Sequence, residues 1–332
     1  MLAEKQKKEN ANIKKPNHKP INSKPVPAGG QAVIDGVMMK TPHYYSLAVR
    51  KPDSSIHLET HRHISFAEKR KFLGWPFFRG PITLFEMLSL GLKALMRSAE
   101  IASADEEGEE ELSWFAMVAT IGIAVIFAVG LFVFLPYAIT YYFGFSEDKN
   151  ALVFNIVDGL IKILFFVAYV YLISLMKDIR RTFQYHGAEH KTINCFEDKK
   201  SLTPENCMKY KTFHARCGTS FVMIVFFIMI FIFSGIPFLL DLLFPSLLEV
   251  SSVARRAILF FIRLLFIIPV ASVSYEILKL SFKFENNLLM KIFVFPGRLL
   301  QGITTREPTR KQVEVAIASL KAALSKESSY KK

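Results

Sequence analysis

Cysteine is scarce in this chain: there are three among 332 residues, all between positions 195 and 217. So few thiols exclude the disulfide scaffold that stabilises small secreted proteins. Acidic residues are also in the minority, with 29 Asp and Glu against 42 Lys and Arg and a formal charge of +13. No apolar stretch near the start resembles a signal peptide. Residues 1–27 are rich in Lys, Asn and Pro and predict a disordered basic tail.

Apolar residues, in contrast, are abundant, at 51% of the chain and with 31 Phe. A soluble globular protein rarely combines this apolar content with such a basic excess. Crossing a bilayer as a helix requires about 20 apolar residues, and four segments meet that condition. We therefore predict a mainly α-helical membrane protein with a four-helix transmembrane domain over 112–282, its spans lying at about 113–140, 152–176, 217–240 and 257–282.

The distribution of Lys and Arg predicts the orientation of these spans. There are 17 before the first span, one in the first loop, nine in the second loop (177–218), two in the third loop and 11 in the tail. Because cytoplasmic segments carry the excess of Lys and Arg, both termini and the second loop are expected in the cytoplasm. Topology thus accounts for the basic excess, and no nucleic-acid-binding motif is apparent. The lipid bilayer is the expected partner, while homo-oligomerisation and contact with other membrane proteins both remain open.

The segments before the first span have their own patterns. Residues 28–74 predict a small cytoplasmic β region, since 44–61 alternates about a Pro-Asp-Ser turn as a β-hairpin does. Residues 75–103 predict a helix with too many charges for an easy crossing, so we interpret it as interfacial or re-entrant. The alternative is a fifth, partly polar membrane helix. Residues 104–111 read as an acidic linker.

After the last span, residues 283–332 predict a cytoplasmic C-terminal region. Apolar residues at helical spacing follow Pro308, and Thr309 is a candidate N-cap. These signals predict a helix over about 310–325.

The second loop contains a candidate metal-binding motif. His186 and His190 are four residues apart, which places them on one face of a helix, with Glu189 beside them. The order His-x-x-Glu-His reverses the familiar zinc-hydrolase signature. His214 and Cys217 stand just before the third span, at the same membrane face, and Cys195 follows His190 by five residues. Nitrogen and sulfur donors of this kind suit Zn²⁺.

Three interpretations of these residues remain open. They are a catalytic zinc site, a structural zinc clip between two helices, or ordinary interfacial side chains. In a catalytic site, Glu189 would act as general base and Arg216 would stabilise negative charge. Glu276, near the cytoplasmic end of the fourth span, would be a further ligand, a partner that orients a His, or a counter-charge for Arg180, Arg181 or Arg216. The alternative is an interfacial Glu whose carboxylate extends to the water.

Four sequence blocks resemble the YqhQ-like family of bacterial multi-pass membrane proteins. They are Gly29-Gly30-Gln31-Ala32-Val33-Ile34-Asp35-Gly36-Val37-Met38-Met39, Tyr185-His186-Gly187-Ala188-Glu189-His190-Lys191-Thr192, His214-Ala215-Arg216-Cys217-Gly218-Thr219-Ser220-Phe221 and Thr304-Thr305-Arg306-Glu307-Pro308. The family usually has Glu where this chain has Asp35 and Pro where it has Ala215. Its domain has no known function but often bears the label of a metal-dependent enzyme.

The resemblance implies a bacterial cell membrane as the location, and it implies that His186, Glu189, His190, His214 and Cys217 are the residues to test. It also draws attention to the first block. Its glycines allow close backbone approach, so Gln31 and Asp35 would fold over the metal site as a cytoplasmic cap. The alternative is a Gly-rich strand edge that only docks on the loop.

Three functions follow from these observations. The first is a zinc-dependent hydrolase that acts on peptide or lipid at the membrane surface. The second is a membrane scaffold or assembly factor with a structural zinc clip. The third is a transporter. The sequence gives it little support, because the spans contain few charges and no internal repeat is visible.

Overall fold

The computed structural model describes residues 26–103, 114–248, 250–284 and 287–330. The predicted linker 104–111 lies outside these ranges, as does the predicted tail 1–27 apart from its last two residues. Within the described ranges the chain is mostly helical, with one small β-sheet near the N-terminus.

The sheet is an antiparallel meander of four strands. Strands β1 (Gly29–Val33), β2 (Gly36–Lys40), β3 (Tyr44–Arg50) and β4 (Ile56–Arg62) are paired in chain order. The predicted hairpin is β3–β4, and the block 29–39 forms β1 and most of β2. A tight turn separates β1 from β2, where Asp35 has a left-handed backbone with φ of 49°.

The central strands β2 and β3 are buried on both faces of the sheet, and the period of two in a strand directs their alternate residues to opposite faces. Val37 and Ala48 belong to a core on one face, together with residues of two later helices. Met38 and Leu47 belong to a second core on the other face. The sheet is therefore a layer between helices.

The helices are numbered here in chain order. They are α1 (Phe66–Lys69), α2 (Arg79–Ala102), α3 (Trp114–Val129), α4 (Leu135–Tyr142), α5 (Glu147–Ile173), α6 (Lys177–Glu197), α7 (Pro204–Cys207), α8 (Gly218–Leu243), α9 (Ser252–Lys283), α10 (Leu288–Thr304) and α11 (Arg310–Ser328). A π-helical turn joins α3 to α4, and short 3₁₀ turns follow α1 and α8.

Four helical segments in the described ranges are long and apolar enough to cross a membrane, as the sequence predicts. They are Gly122–Tyr142, Asn150–Ile173, Gly218–Leu243 and Ala254–Ser281. Charged and amide groups inside them find partners on neighbouring turns or helices. Lys162 pairs with Asp158 one turn away, and Arg263 donates to Asn155 over 3.1 Å. The architecture is compatible with a membrane protein.

Helix α2 corresponds to the predicted segment 75–103. Leu90 and Ala94 pack on the sheet, and Arg79 reaches Glu276 at the end of α9. Its opposite side carries exposed apolar side chains, among them Phe85 and Leu88. It is not among the candidate spans found in the described part of the chain. The interfacial interpretation remains a prediction.

The other face of the sheet is covered by α6 and α11. Tyr185 and Ala188 of α6 join Val313 and Leu320 of α11 in one core. Thr309 caps α11 through a capping box with Gln312, at the position predicted. Helix α10 was not predicted, and it packs along the start of α8 through Gly297 and Ser220.

Candidate metal centre

Helix α6 positions the two histidines of the motif. The segment from Tyr185 to Cys195 is largely buried because β1 and β2 cover one side of α6 and α11 covers another. His186 and His190 are one helical turn apart and therefore share a face. Their ring centroids are 4.4 Å apart.

Cys217 completes a group of three donors. It is the N-cap of α8, directly before the candidate span Gly218–Leu243. Its Sγ lies 3.3 Å from His186 Nε2, and the donor atoms of Cys217, His186 and His190 all lie within 4.8 Å of one another. Donor atoms around a tetrahedral zinc ion are about 3.3–3.6 Å apart, given the usual Zn–N and Zn–S bond lengths. The three residues need only a small contraction to reach that geometry.

Backbone carbonyls orient both imidazoles. His186 Nδ1 is 2.9 Å from the carbonyl oxygen of Thr304, and His190 Nδ1 is 2.5 Å from that of Thr212. A carbonyl oxygen can only accept, so each Nδ1 carries the proton and each Nε2 keeps its lone pair. Histidine ligands in metal sites commonly have this arrangement, in which a second hydrogen bond fixes the tautomer and the ring orientation.

Glu189 lies beside the donors and is buried. Its carboxylate accepts the backbone N–H of Gly30 in β1, and Oε2 is 3.4 Å from His190 Nε2. Strand β1 comes this close because position 30 has no side chain, since a Cβ there would be 2.8 Å from Glu189 Cγ. The Gly-rich block 29–36 thus does meet the motif, but through its backbone.

Burial favours the neutral forms of His190, Cys217 and Glu189. Desolvation by burial lowers the pKa of His190 to about 2. Desolvation raises the pKa of Cys217 to about 11 and also raises the pKa of Glu189. Neutral imidazoles are ready to bind a metal ion, whereas the thiol must lose its proton, which a bound cation promotes.

Comparison with known proteins shows the family. Residues 75–326 match the family described as "Protein of unknown function (DUF1385)". The chain belongs to this family. It is also 32% identical over 316 residues to an uncharacterized protein, YqhQ, of Bacillus subtilis (strain 168). The aligned region covers 89% of this chain and 92% of that protein. The resemblance drawn from the sequence blocks is confirmed. No solved structure matches the chain.

Three further residues of the predicted site lie near the donor group or on its helix, but none belongs to it. The His214 ring is 5.6 Å from that of His190, and its Nε2 is directed to Glu197 at 3.4 Å. Arg216 also pairs with Glu197 and is partly exposed. Cys195 lies in the core between α6 and α11, where its thiol donates to a backbone carbonyl over 3.7 Å.

The remaining predicted residues are placed elsewhere. The Gln31 side chain lies against Gly91 of α2, and Asp35 pairs with Arg181 near the start of α6. Both side chains thus have partners outside the donor group, and the role of Gln31 and Asp35 as a cap stays a prediction. Glu276 pairs with Arg79, an arginine that the sequence analysis did not consider as its partner.

Two residues that support the centre were not predicted. Gly187 lets the segment after α10 cross α6 closely, since a Cβ there would overlap the carbonyl oxygen of Arg306. That crossing brings the Thr304 carbonyl to His186. Gln301 accepts the backbone N–H of His214 and donates to the carbonyl of the same residue, and so fixes the turn that leads to Cys217.

Proposed function

We propose that this protein is an integral membrane enzyme that holds one Zn²⁺ ion through His186, His190 and Cys217 and hydrolyses a peptide or lipid bond at the membrane surface. The observation that carries the proposal is the second hydrogen bond of each imidazole. Both Nδ1 atoms are engaged by backbone carbonyls, and both Nε2 atoms are left to converge near one thiol.

The donor set fits zinc in its chemistry as well as its spacing. Two imidazole nitrogens and one thiolate are a set found in catalytic zinc sites, which keep a fourth position open for water or substrate. Such an ion makes a bound water acidic enough to attack a carbonyl or phosphoryl centre at neutral pH. A closed structural site would use four protein ligands, and three donors converge in the described part of the chain.

Each nearby residue then has a role that its position supports. Glu189 is the general base of the reaction. Its buried carboxyl lies next to His190, and desolvation raises the pKa of this carboxyl towards the range that is useful for a general base. Gly30 holds that carboxyl in place through its N–H. Arg216, which directly precedes Cys217, contributes a positive charge near the donor group, where it and His214 both contact Glu197.

The location argues for a substrate at the bilayer surface. Cys217 directly precedes one candidate span, and α6 begins four residues after another ends. The excess of Lys and Arg in 177–218 supports an orientation in which this end of the spans faces the cytoplasm of a bacterial cell.

The first experiment measures zinc and the open position without needing the substrate. The purified chain is expected to carry about one zinc per molecule, and its cobalt-substituted form should show sulfur-to-cobalt charge-transfer absorption. Azide should change the cobalt spectrum, because an open position accepts an added ligand. A chain that binds no zinc after expression with added zinc contradicts the proposal. A cobalt spectrum indifferent to azide favours the structural clip of a membrane scaffold.

The matched variant is Glu189→Gln, which keeps the shape and removes the ionisable carboxyl group. In an enzyme it should bind zinc as the parent does and lose hydrolysis of a membrane-bound ester or peptide panel by at least about 100-fold, the usual contribution of a positioned general base. In a scaffold the same variant should be silent. Equal hydrolysis by the variant and the parent removes Glu189 from the mechanism.

A further inference from the structure

A cavity of about 560 Å³ opens beside the candidate metal centre without including its three donors. Its walls come from the end of α6, the turn before α8, the end of α9 and the side of α10. Ser281, the last residue of a candidate span, is one of the lining residues. The cavity therefore lies at the level where the spans would leave the hydrocarbon.

The charges that line this cavity are mostly positive. Arg216, Lys291 and Arg298 contribute to the wall, and Glu197 is the one carboxylate among the lining residues in the described part of the chain. Glu197 is already paired with Arg216. Over the same described ranges, neither Lys291 nor Arg298 pairs with a carboxylate. Two positive charges are thus left for a ligand.

The position of Arg298 is fixed. Its guanidinium carbon lies 4.4 Å from the ring centroid of Phe213, over the aromatic face. A guanidinium held in this way presents its N–H fork in a set direction, and that fork matches the oxygens of a phosphate group. Asn194 also lines the cavity. Its amide nitrogen donates to the backbone carbonyls of Lys211 and Phe213, and these hydrogen bonds fix the orientation of its side chain.

Helix α10 continues from the cavity into an apolar surface. Leu288, Ile292, Phe295 and Leu299 follow one another at intervals of four, three and four residues, and each is more than half exposed. Lys291 and Arg298 stand on the same helix beside this stripe. An apolar stripe flanked by basic residues is the pattern of a helix that lies in the membrane interface.

We propose that the cavity binds the phosphate group of an anionic membrane lipid, with Lys291 and Arg298 as the contacting charges and the apolar stripe of α10 against its acyl chains. A free phosphate ion would use the basic residues but not the stripe. A lipid uses both, and the stripe begins at the rim of the cavity. Basic pockets at the cytoplasmic end of membrane helices are typical sites for anionic head groups. The proposal does not depend on zinc.

The test is native mass spectrometry of the full-length chain in detergent, titrated with phosphatidylglycerol or with phosphatidylcholine of the same acyl chains. Phosphatidylglycerol should be retained in preference, with about one tightly held molecule per chain. Lys291→Gln and Arg298→Gln should each weaken its retention about fivefold, and the double variant about 25-fold, as expected for one basic residue and for two near an anionic lipid. Treatment with a zinc chelator should leave these results unchanged.

Matched controls separate charge from general damage. Lys326→Gln removes an equally exposed charge from α11, away from the cavity, and should retain phosphatidylglycerol as the parent does. Arg298→Lys keeps the charge and should lose less than Arg298→Gln. Equal retention of the two lipids by the parent overturns the proposal, and so does displacement of phosphatidylglycerol by an equal concentration of inorganic phosphate. The parent experiment decides the matter even if a variant fails to fold.

Discussion

At the scale of single residues, the helical register of α6 decides which side chains reach the donor group. A residue advances about 100° around an α-helix, so His186 and His190 lie nearly above one another. Cys195 is nine residues from His186 on the same helix and so points about 180° away. Its proximity in sequence made it a candidate ligand, but that rotation places it in the core against α11.

The two cysteines therefore give a matched pair of variants. Cys217→Ser should lose most of the bound zinc, since it replaces a thiolate with a weaker donor next to His186. Cys195→Ala should keep the zinc, because its thiol is only part of a buried core with Cys207. Zinc per chain, measured by mass spectrometry after gel filtration, checks both. Zinc loss from Cys195→Ala in a protein that elutes normally would contradict the assignment of ligands.

At the scale of elements, the sequence predicted the features that depend on the hydropathy and the alternation of side chains. The four spans follow from long apolar runs, and the hairpin 44–61 follows from its period of two. The donor pair followed from its spacing, and Cys217 from the return of the chain to the same end of the spans. The contacts that the sequence did not predict are made by backbone groups. The carbonyl oxygens of Thr304 and Thr212 orient the two imidazoles, and every residue has such a group, so no residue type indicates the contact.

Helix α10 shows a second limit of sequence reasoning. Its apolar residues recur at intervals of three and four, but Pro296 and the charges at 291 and 298 obscure that period. Its docking depends on the contact of Gly297 with Ser220, which is 77 residues away in the chain. Long-range contacts of this kind follow from packing and not from a local pattern.

The crossing of α6 by the segment after α10 can be tested at Gly187. In Gly187→Ala the new methyl group meets a backbone oxygen, which cannot rotate away, so the segment must shift and the Thr304 carbonyl with it. Strain of this kind costs about 1–3 kcal/mol. The expected result is a lower melting temperature together with weaker zinc retention.

Gly302→Ala is the control for that experiment. It also replaces a helical glycine, but a Cβ there meets nothing within 4 Å. Helix propensity then favours Ala over Gly by up to about 1 kcal/mol, so the melting temperature should not fall. Equal melting temperatures for Gly187→Ala and the parent would show that the close crossing is not a constraint on the fold.

At the scale of the whole molecule, the polar parts gather at one end of the candidate spans. The donor group, the basic cavity and the sheet layer all contain or contact residues of α6 or of the turn before α8. Helix α6 and this turn each lie next to the end of a candidate span. The short loops at the other ends carry one and two Lys and Arg, against nine in 177–218. The Lys and Arg counts therefore predict that this end of the spans, and the site with it, faces the cytoplasm.

Cysteine labelling tests that orientation, and the native chain is well suited to it. Cys195, Cys207 and Cys217 are all buried, so a membrane-impermeant maleimide should react little with the folded parent. Phe145→Cys and Val250→Cys place an exposed thiol in the first and third loops. Both should react in intact cells, since these loops are predicted outside. Lys200→Cys, exposed in the second loop, should react only after the cells are made permeable. The reverse pattern would place the donor group outside the cytoplasm and contradict the orientation drawn from the Lys and Arg counts.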